Sequence, residues 1–156
     1  MYGIHAISKD DETSVVYVKN PPDIPGTAFY TFSSLAKADV DVDLIISTAA
    51  SNRGGDIVFT VRESVTERVK RILEKEFAFS PDTSIVIDSG VSKITVSGEG
   101  MQGKPGVAAK VFKCLWDAGV RIVNISTSEI RICMLVPKED AKAAMSALVD
   151  SFEIEL

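Results

Sequence analysis

The chain has 156 residues, of which 46% are hydrophobic and 25% are charged, and its formal net charge is -5 at pH 7. This length allows one ordinary domain or two small ones with a buried core. A negative chain without a run of Lys and Arg has no electrostatic footprint for phosphate backbones, so we expect no nucleic-acid partner. It shows no charged and then apolar leader and no apolar run near about 18 residues, which favours a cytoplasmic protein without membrane spans.

The first half of the chain has the periodicity of a β-α-β-β-α-β unit. Strands are predicted where β-branched or alternating apolar residues occur, and helices where apolar residues recur every three or four positions. The predicted elements are strand 13–19, helix 28–35, strands 40–46 and 57–61, helix 65–73 and strand 85–87. This order is the split βαβ plan of ferredoxin-like folds.

The second half of the chain repeats the first. A shift of 80 residues places Pro25 and Gly26 on Pro105 and Gly106 and gives eight identities across residues 25–45. A shift of 75 then aligns three further apolar positions, Val61 with Val136, Leu73 with Leu148 and Phe77 with Phe152. The smaller shift means that the second copy lacks residues that the first copy has. They fall in the turn-rich loop SNRGGD, which can shorten without disturbing a core. We therefore predict an α+β protein of two ferredoxin-like βαββαβ domains, each an antiparallel sheet with helices on one face.

The two predicted domains are not arranged end to end. The second copy has elements at 91–97, 106–118, 120–126, 130–136 and 141–152, which leaves only residues 153–156 for a closing strand. The segment YGIHAIS, residues 2–8, has no partner in the first copy, so we expect it to add a strand to the second sheet. The first domain, residues 13–88, would then be inserted in a second domain formed by residues 2–8 and 90–156.

The stretch PDIPG, residues 22–26, lies between the first strand and the first helix. Such a turn leaves unpaired N–H groups at the positive end of the helix dipole, where a carboxylate binds well. Pro25 has no N–H to leave unpaired, Gly26 lets a ligand approach closely, and Asp23 supplies a charge for an ammonium group. A free amino acid fits this pattern, and the alternative is a tight turn in which Asp23 caps the helix. The second-copy stretch MQGKPG lacks the acid, so the two loops are not equivalent sites.

Other polar and aromatic residues favour structural roles. Cys114 and Cys133 have neither CxxC spacing nor a secreted disulfide pattern, so we expect two buried free thiols. The alternating acids of DVDVD, residues 39–43, are expected to share a solvated strand face rather than hold a metal. Trp116 is expected to pack in a core or an interface. The sequence therefore predicts no metal site and no cofactor.

The loops PDIPGTA and KPGVAAKVF, the repeat, and the stretch VRIVNISTSEIRI resemble the paired ACT domains at the C-terminal end of aspartate kinase. The resemblance covers essentially the whole chain, which is also similar to the separate β subunit of that family. It implies a regulatory part that binds an end-product amino acid, threonine or lysine or both. Binding would inhibit aspartate phosphorylation in lysine, threonine and methionine synthesis. The implied partners are the kinase catalytic domain or α subunit, and a second copy of the chain in a homodimer formed through the ACT domains.

The resemblance also implies the effector-binding residues. Family contacts match Asp23, Ile24, Pro25, Gly26, Thr27 and Ala28 in the first loop, and Asn124, Ile125, Thr127, Ser128 and Glu129 in the second domain. Ser47 and Thr48 stand where the family commonly has a Gln-Asn pair, so the effector's identity stays open. The kinase phosphate loop and the Lys-Phe-Gly-Gly stretch are absent, so we predict no catalytic residue and no kinase activity from this chain alone. The alternative is a free-standing tandem-ACT amino-acid sensor that acts on another enzyme or on transcription.

Overall fold

A computed structural model describes residues 3–48 and 55–153 of the chain. The chain divides into two units, one formed by Met1–Asp11 with Gly90–Leu156 and the other by Glu12–Ser89. Over the described ranges, each unit contains a four-stranded antiparallel sheet and two α-helices. The predicted α+β class is therefore confirmed, and below the two units are called the 12–89 unit and the 90–156 unit.

Eight strands and four α-helices follow one another along the described part of the chain. They are β1 (Ala6–Asp10), β2 (Thr13–Lys19), α1 (Thr27–Lys37), β3 (Ile45–Thr48), β4 (Ile57–Arg62), α2 (Thr66–Glu76), β5 (Ser84–Asp88), β6 (Val91–Ser97), α3 (Val107–Asp117), β7 (Asn124–Ser128), β8 (Arg131–Pro137) and α4 (Ala141–Phe152). The sheet of the 12–89 unit has the order β3-β4-β2-β5, and that of the 90–156 unit has the order β1-β6-β8-β7. Both orders are those of a ferredoxin-like βαββαβ sheet.

The predicted internal repeat is confirmed by the helix bounds. α3 begins and ends 80 residues after α1, and α4 begins 75 residues after α2. α1 and α3 also begin in the same way, with Gly26 at φ 86° and Gly106 at φ 95° as their N-caps. Only glycine adopts this left-handed backbone without steric cost, which explains why both copies have it at this position.

The edge strand β1 occupies in the 90–156 unit the place that β5 occupies in the 12–89 unit. β1 runs antiparallel to β6, with Ile7 opposite Val96, while β5 runs antiparallel to β2, with Ile87 opposite Val16. The strand expected within residues 2–8 thus lies at Ala6–Asp10. Residues 154–156 of the expected closing strand lie outside the described residues, and Glu153 directly follows α4.

The strand predicted at residues 40–46 begins later, at Ile45. Before it, single hydrogen bonds continue the pairing: Asp43 N–H donates to Thr60 O at 3.0 Å, and Thr60 N–H donates to Leu44 O at 2.9 Å. Residues 39 and 40 belong instead to the turn that ends α1, in which Val40 N–H donates to Leu35 O. The acids of residues 39–43 are exposed, as predicted, but Asp39 and Asp41 precede the strand pairing, so the predicted shared strand face was wrong.

Each unit has its own core between its sheet and its two helices. In the 12–89 unit, Leu35 of α1, Leu73 of α2 and Phe59 of β4 are fully buried in one cluster. The corresponding residues of the 90–156 unit are Leu115, Leu148 and Met134. Since both helices bury their apolar stripes against one face of the sheet, the predicted layering with helices on one face is confirmed.

The isolated Cys and Trp residues differ in burial. Cys114 and Cys133 are free and buried, as predicted, and Cys114 Sγ lies 3.2 Å from Ser151 Oγ. Trp116, in contrast, is 82% exposed, so it does not pack in the core, and its expected place in an interface stays a prediction. Its neighbour Leu115 occupies the buried face of α3 instead. Within residues 3–48 and 55–153, none of the helices has the length and apolar character needed to cross a membrane.

The turns that end α1 and α3 differ at one left-handed position. Asp39 has φ 59°, whereas its counterpart Gly119 has φ 72°. An L side chain is strained in this backbone, although Asp tolerates it better than most residues. We expect Asp39→Gly to raise the free energy of unfolding by about 0.5 kcal/mol, and Gly119→Asp to lower it by a similar amount. Urea unfolding measures both variants, and a less stable Asp39→Gly variant would contradict the expectation.

Candidate functional site

The loop between β2 and α1 is fixed by a side chain of the helix that follows it. Thr27 Oγ1 shares its proton between Pro22 O at 3.0 Å and Ile24 O at 2.9 Å. Ile24 N–H also donates to Pro22 O at 2.9 Å. Asp23 and Ile24 are exposed at the surface of this bonded turn. The loop therefore presents its acid from a backbone that is already ordered.

The helix α1 begins without a side-chain cap. Its first backbone hydrogen bond joins Tyr30 N–H to Gly26 O at 2.8 Å, so the amides of residues 27–29 precede the hydrogen-bond ladder. Among the described residues no side chain caps this helix, and its first turn contains no acid. The alternative in which Asp23 caps the helix is therefore wrong. The positive end of the helix dipole is open beside an exposed carboxylate.

The predicted residues Ser47 and Thr48 lie at the end of β3. Ile57 pairs with both Val18 of β2 and Thr48 of β3, so the C-terminal ends of β2 and β3 lie at the same end of the sheet. From this end of the sheet, β2 leads into the first loop, between β2 and α1. The register of β3 shifts between Ile45 and Ser47, as at a β-bulge, a feature that re-aims side chains near sites. The structure therefore places Ser47 and Thr48 at the end of the sheet where the first loop begins.

The other predicted residues belong to the 90–156 unit, on or directly after the edge strand β7. Asn124 is half-buried, and the rest are exposed: Ile125, Thr127, Ser128 and Glu129. Ser128 pairs with Arg131, which also pairs with Ser97 at the end of β6. These residues therefore lie toward the end of the sheet at which β6 leads into the second loop.

Glu129 contacts the second loop, a contact that the sequence did not indicate. Gln102 Nε2 donates to Glu129 Oε2 at 3.1 Å across 27 positions of the chain. Both side chains border a cavity of about 470 Å³ that is lined by Met101, Gln102, Gly103, Lys104, Pro105 and Glu129. The second loop thus has an amide paired with a carboxylate where the first loop has an exposed acid.

A groove of about 360 Å³ lies beside the first loop in the 12–89 unit. Its lining combines the loop, the first turn of α1 and the end of α2: Pro22, Ile24, Thr27, Tyr30, Glu76, Phe77 and Phe79. Sequence reasoning missed Tyr30, Glu76, Phe77 and Phe79. Helical periodicity predicts which side chains face the core, but it does not predict that the end of α2 packs against the start of α1.

Asp11 and Lys113, two residues with a shifted pKa, lie outside both loops. The hydrogen bond from Ser92, together with Lys9, lowers the pKa of Asp11, and the hydrogen bond to Asp117 raises the pKa of Lys113. Within the described ranges, no cluster of three or more His, Cys, Asp or Glu side chains could hold a metal ion. These charges have structural partners, and the chemistry of the candidate site is that of open amides and a free carboxylate.

Comparisons with known proteins assign the fold to a class. The sequence model of the ACT domain family matches residues 94–152. The regulatory subunit of aspartate kinase from Thermus thermophilus, in a ligand-free form, is 28% identical with a TM-score of 0.88, over 96% of this chain and 99% of that chain. A chain in a structure of aspartokinase alpha and beta subunits is 32% identical with a TM-score of 0.85, over 97% and 99%. The aspartokinase of Corynebacterium glutamicum is 35% identical over 95% of this chain and 36% of its own length.

Two ferredoxin-like units, each with a glycine-capped helix after an inner strand of its sheet, β2 or β6, make this a protein of paired ACT domains. The chain belongs to the aspartokinase family and corresponds to its regulatory portion. It spans about a third of the length of the curated relatives that it matches. Because an isolated regulatory subunit matches 96% of the chain, these 156 residues contain no catalytic domain, as predicted.

Proposed function

We propose that an end-product amino acid, threonine or lysine, binds to this regulatory portion and inhibits aspartate phosphorylation in the cytoplasm. The catalytic domain or α subunit of an aspartokinase is the proposed partner. The observation that carries the proposal is the open start of α1, where free amides lie beside the exposed Asp23. Opposite charges within one loop suit a zwitterion.

The chemistry of the loop gives each end of the ligand a partner. The α-carboxylate accepts hydrogen bonds from the amides of residues 27–29, and the α-ammonium pairs with the carboxylate of Asp23. Thr27 Oγ1 donates to the carbonyl oxygens of Pro22 and Ile24 and so orders the loop. Ligand binding therefore costs little additional backbone entropy. Gly26 has no Cβ, which leaves room for the ligand near the backbone.

Regulation then follows from pairing of two chains through their ACT sheets. In this arrangement, a β7 strand from the partner chain, with Asn124, Ile125, Thr127 and Ser128, forms the second wall of the effector site. An effector held at such a seam stabilises the paired state by RT ln(1 + [L]/Kd), and this bias reaches the attached catalytic domains. The exposed edge positions Ile45 and Ile125 support pairing through these strands.

Thermal unfolding in a panel of amino acids tests this function. At a hundredfold excess over Kd, the effector adds about 2.7 kcal/mol to the stability of the bound state, so Tm rises clearly. We expect L-threonine or L-lysine to raise Tm, and their D-enantiomers serve as controls of equal charge. A Tm that no L-amino acid changes at millimolar concentration would contradict the proposal.

A further inference from the structure

One hydroxyl group joins the start of α1 to the loop that precedes it. Thr27 is the first residue of α1, and its Oγ1 lies 3.0 Å from Pro22 O and 2.9 Å from Ile24 O. Other aliphatic hydroxyls of α1 donate to carbonyl oxygens of the helix itself, namely those of Thr31, Ser33 and Ser34. The hydroxyl of Thr27 therefore bonds the loop, whereas these three bond the helix.

The two carbonyl groups that accept from Thr27 lie on either side of Asp23. Bonding both of them to one hydroxyl restricts the peptide unit before Asp23 and the peptide unit after Ile24. A hydroxyl has a single proton, and here the two carbonyls share it, so the side chain of Thr27 has no proton left to donate to a ligand. Its hydroxyl thus acts on the loop that presents the acid.

The second copy has no hydroxyl at this position. Val107 is the first residue of α3, 80 residues after Thr27, and it is buried with 3% of its surface exposed. Valine has the branched shape of threonine without the hydroxyl. The second loop is instead tied to Glu129 by the amide of Gln102. Of the two loops, the one that carries Asp23 is therefore the one with a threonine at the helix start.

We infer that Thr27 is a positioning residue of the effector site, which raises affinity by holding Asp23 and the first amides of α1 in the binding geometry. This inference rests on the proposed function, because those groups must be the ones that bind the amino acid. Without the hydroxyl, the loop spends part of its time in other conformations, and the apparent affinity falls with the fraction that stays competent. The loss is about three- to tenfold, the range that one neutral hydrogen bond supplies.

Calorimetry on Thr27→Val tests this role, since valine keeps the shape of the side chain and the backbone amide. The ligands are the effector and its shorter homologue, which is L-serine for L-threonine or L-ornithine for L-lysine. Both should lose affinity by the same factor, because the competent fraction of the loop does not depend on the ligand. Thr27→Ser restores the hydroxyl and should bind both within about twofold of the unaltered chain. A loss confined to one of the two ligands would mark a direct contact and overturn the inference.

Thr66 provides a matched control in the same unit. It is the first residue of α2, it is half-buried like Thr27, and its Oγ1 donates to Glu63 O at 2.9 Å. Thr66→Val removes the same kind of bond from the neighbouring helix and should leave both affinities unchanged.

Amide exchange measured by NMR gives a readout without ligand. The amide of Ile24, which donates to Pro22 O, should exchange faster in Thr27→Val and at the original rate in Thr66→Val. If Thr27→Val keeps its full affinity or its original exchange rate, the positioning role is wrong while the proposed function stands. If the unaltered chain binds no amino acid, the proposed function fails and the positioning role fails with it.

Discussion

Asp23→Asn is expected to weaken amino-acid binding by about ten- to a hundredfold, since hydrogen bonds to charged groups contribute roughly 1.5–3 kcal/mol. Asp23 is exposed and carries the negative charge beside the open start of α1. The substitution keeps the size of the side chain and removes the charge that pairs with the α-ammonium. Calorimetry on the chain measures the change in affinity directly.

The same variant should relieve feedback in the assembled kinase. Its inhibition curve moves to higher effector concentration, while the rate without effector stays the same, because Asp23 belongs to the regulatory portion. Asp41→Asn is the matched control: Asp41 is exposed, lies outside the loop and undergoes the same change of charge. An unchanged effector affinity in Asp23→Asn, or an equal loss in Asp41→Asn, would rule out the proposed role of Asp23.

Gly98→Ala should lower the free energy of unfolding by about 1–3 kcal/mol, the usual cost of forcing atoms into a packed region. A Cβ at Gly98 would lie 2.0 Å from Gly3 O and 2.7 Å from Ile4 Cα. Gly98 has φ 177°, an extended backbone that alanine also adopts, so the cost comes from this clash alone. The displaced segment leads into β1, beginning with the bond from His5 N–H to Ser97 O at 3.0 Å.

A shortened chain separates the clash from other effects of the substitution. In a chain that begins at residue 5, the three atoms nearest to a Cβ at Gly98, which belong to Gly3 and Ile4, are absent. Gly98→Ala should then cost little in urea unfolding, although the shortened chain is less stable to begin with. A cost as large in the short chain as in the full chain would refute this account of the contact between Gly98 and residues 3 and 4.

Much of the fold could be predicted because the apolar residues of a buried face recur at regular intervals along the sequence. The stripe of Leu35 and its counterpart Leu115 marks one helix face in each copy, and the structure buries both. The start of β3 could not be predicted in this way. Val40 alternates with its neighbours as a strand residue would, yet it closes the turn after α1 by bonding Leu35. Local hydrogen bonds at a helix end override alternation here.

The candidate site could be predicted only in its local part. Asp23, Pro25 and Gly26 are adjacent in sequence, and their backbone chemistry alone indicates an open helix start. Glu76 is far from them along the chain, and its place in the groove depends on how α1 and α2 pack. The contact between Gln102 and Glu129 arises likewise from the pairing of strands. Such neighbours leave no signal in spacing or composition.

Crystals of the protein grown with saturating lysine, and separately with threonine, test the central claim most directly. Amino-acid binding at the first loop predicts carboxylate oxygens within hydrogen-bond distance of the amides of residues 27–29, with the α-ammonium near Asp23. Crystals in which those amides bind no ligand, or bind one of the protein's own side chains, would contradict it.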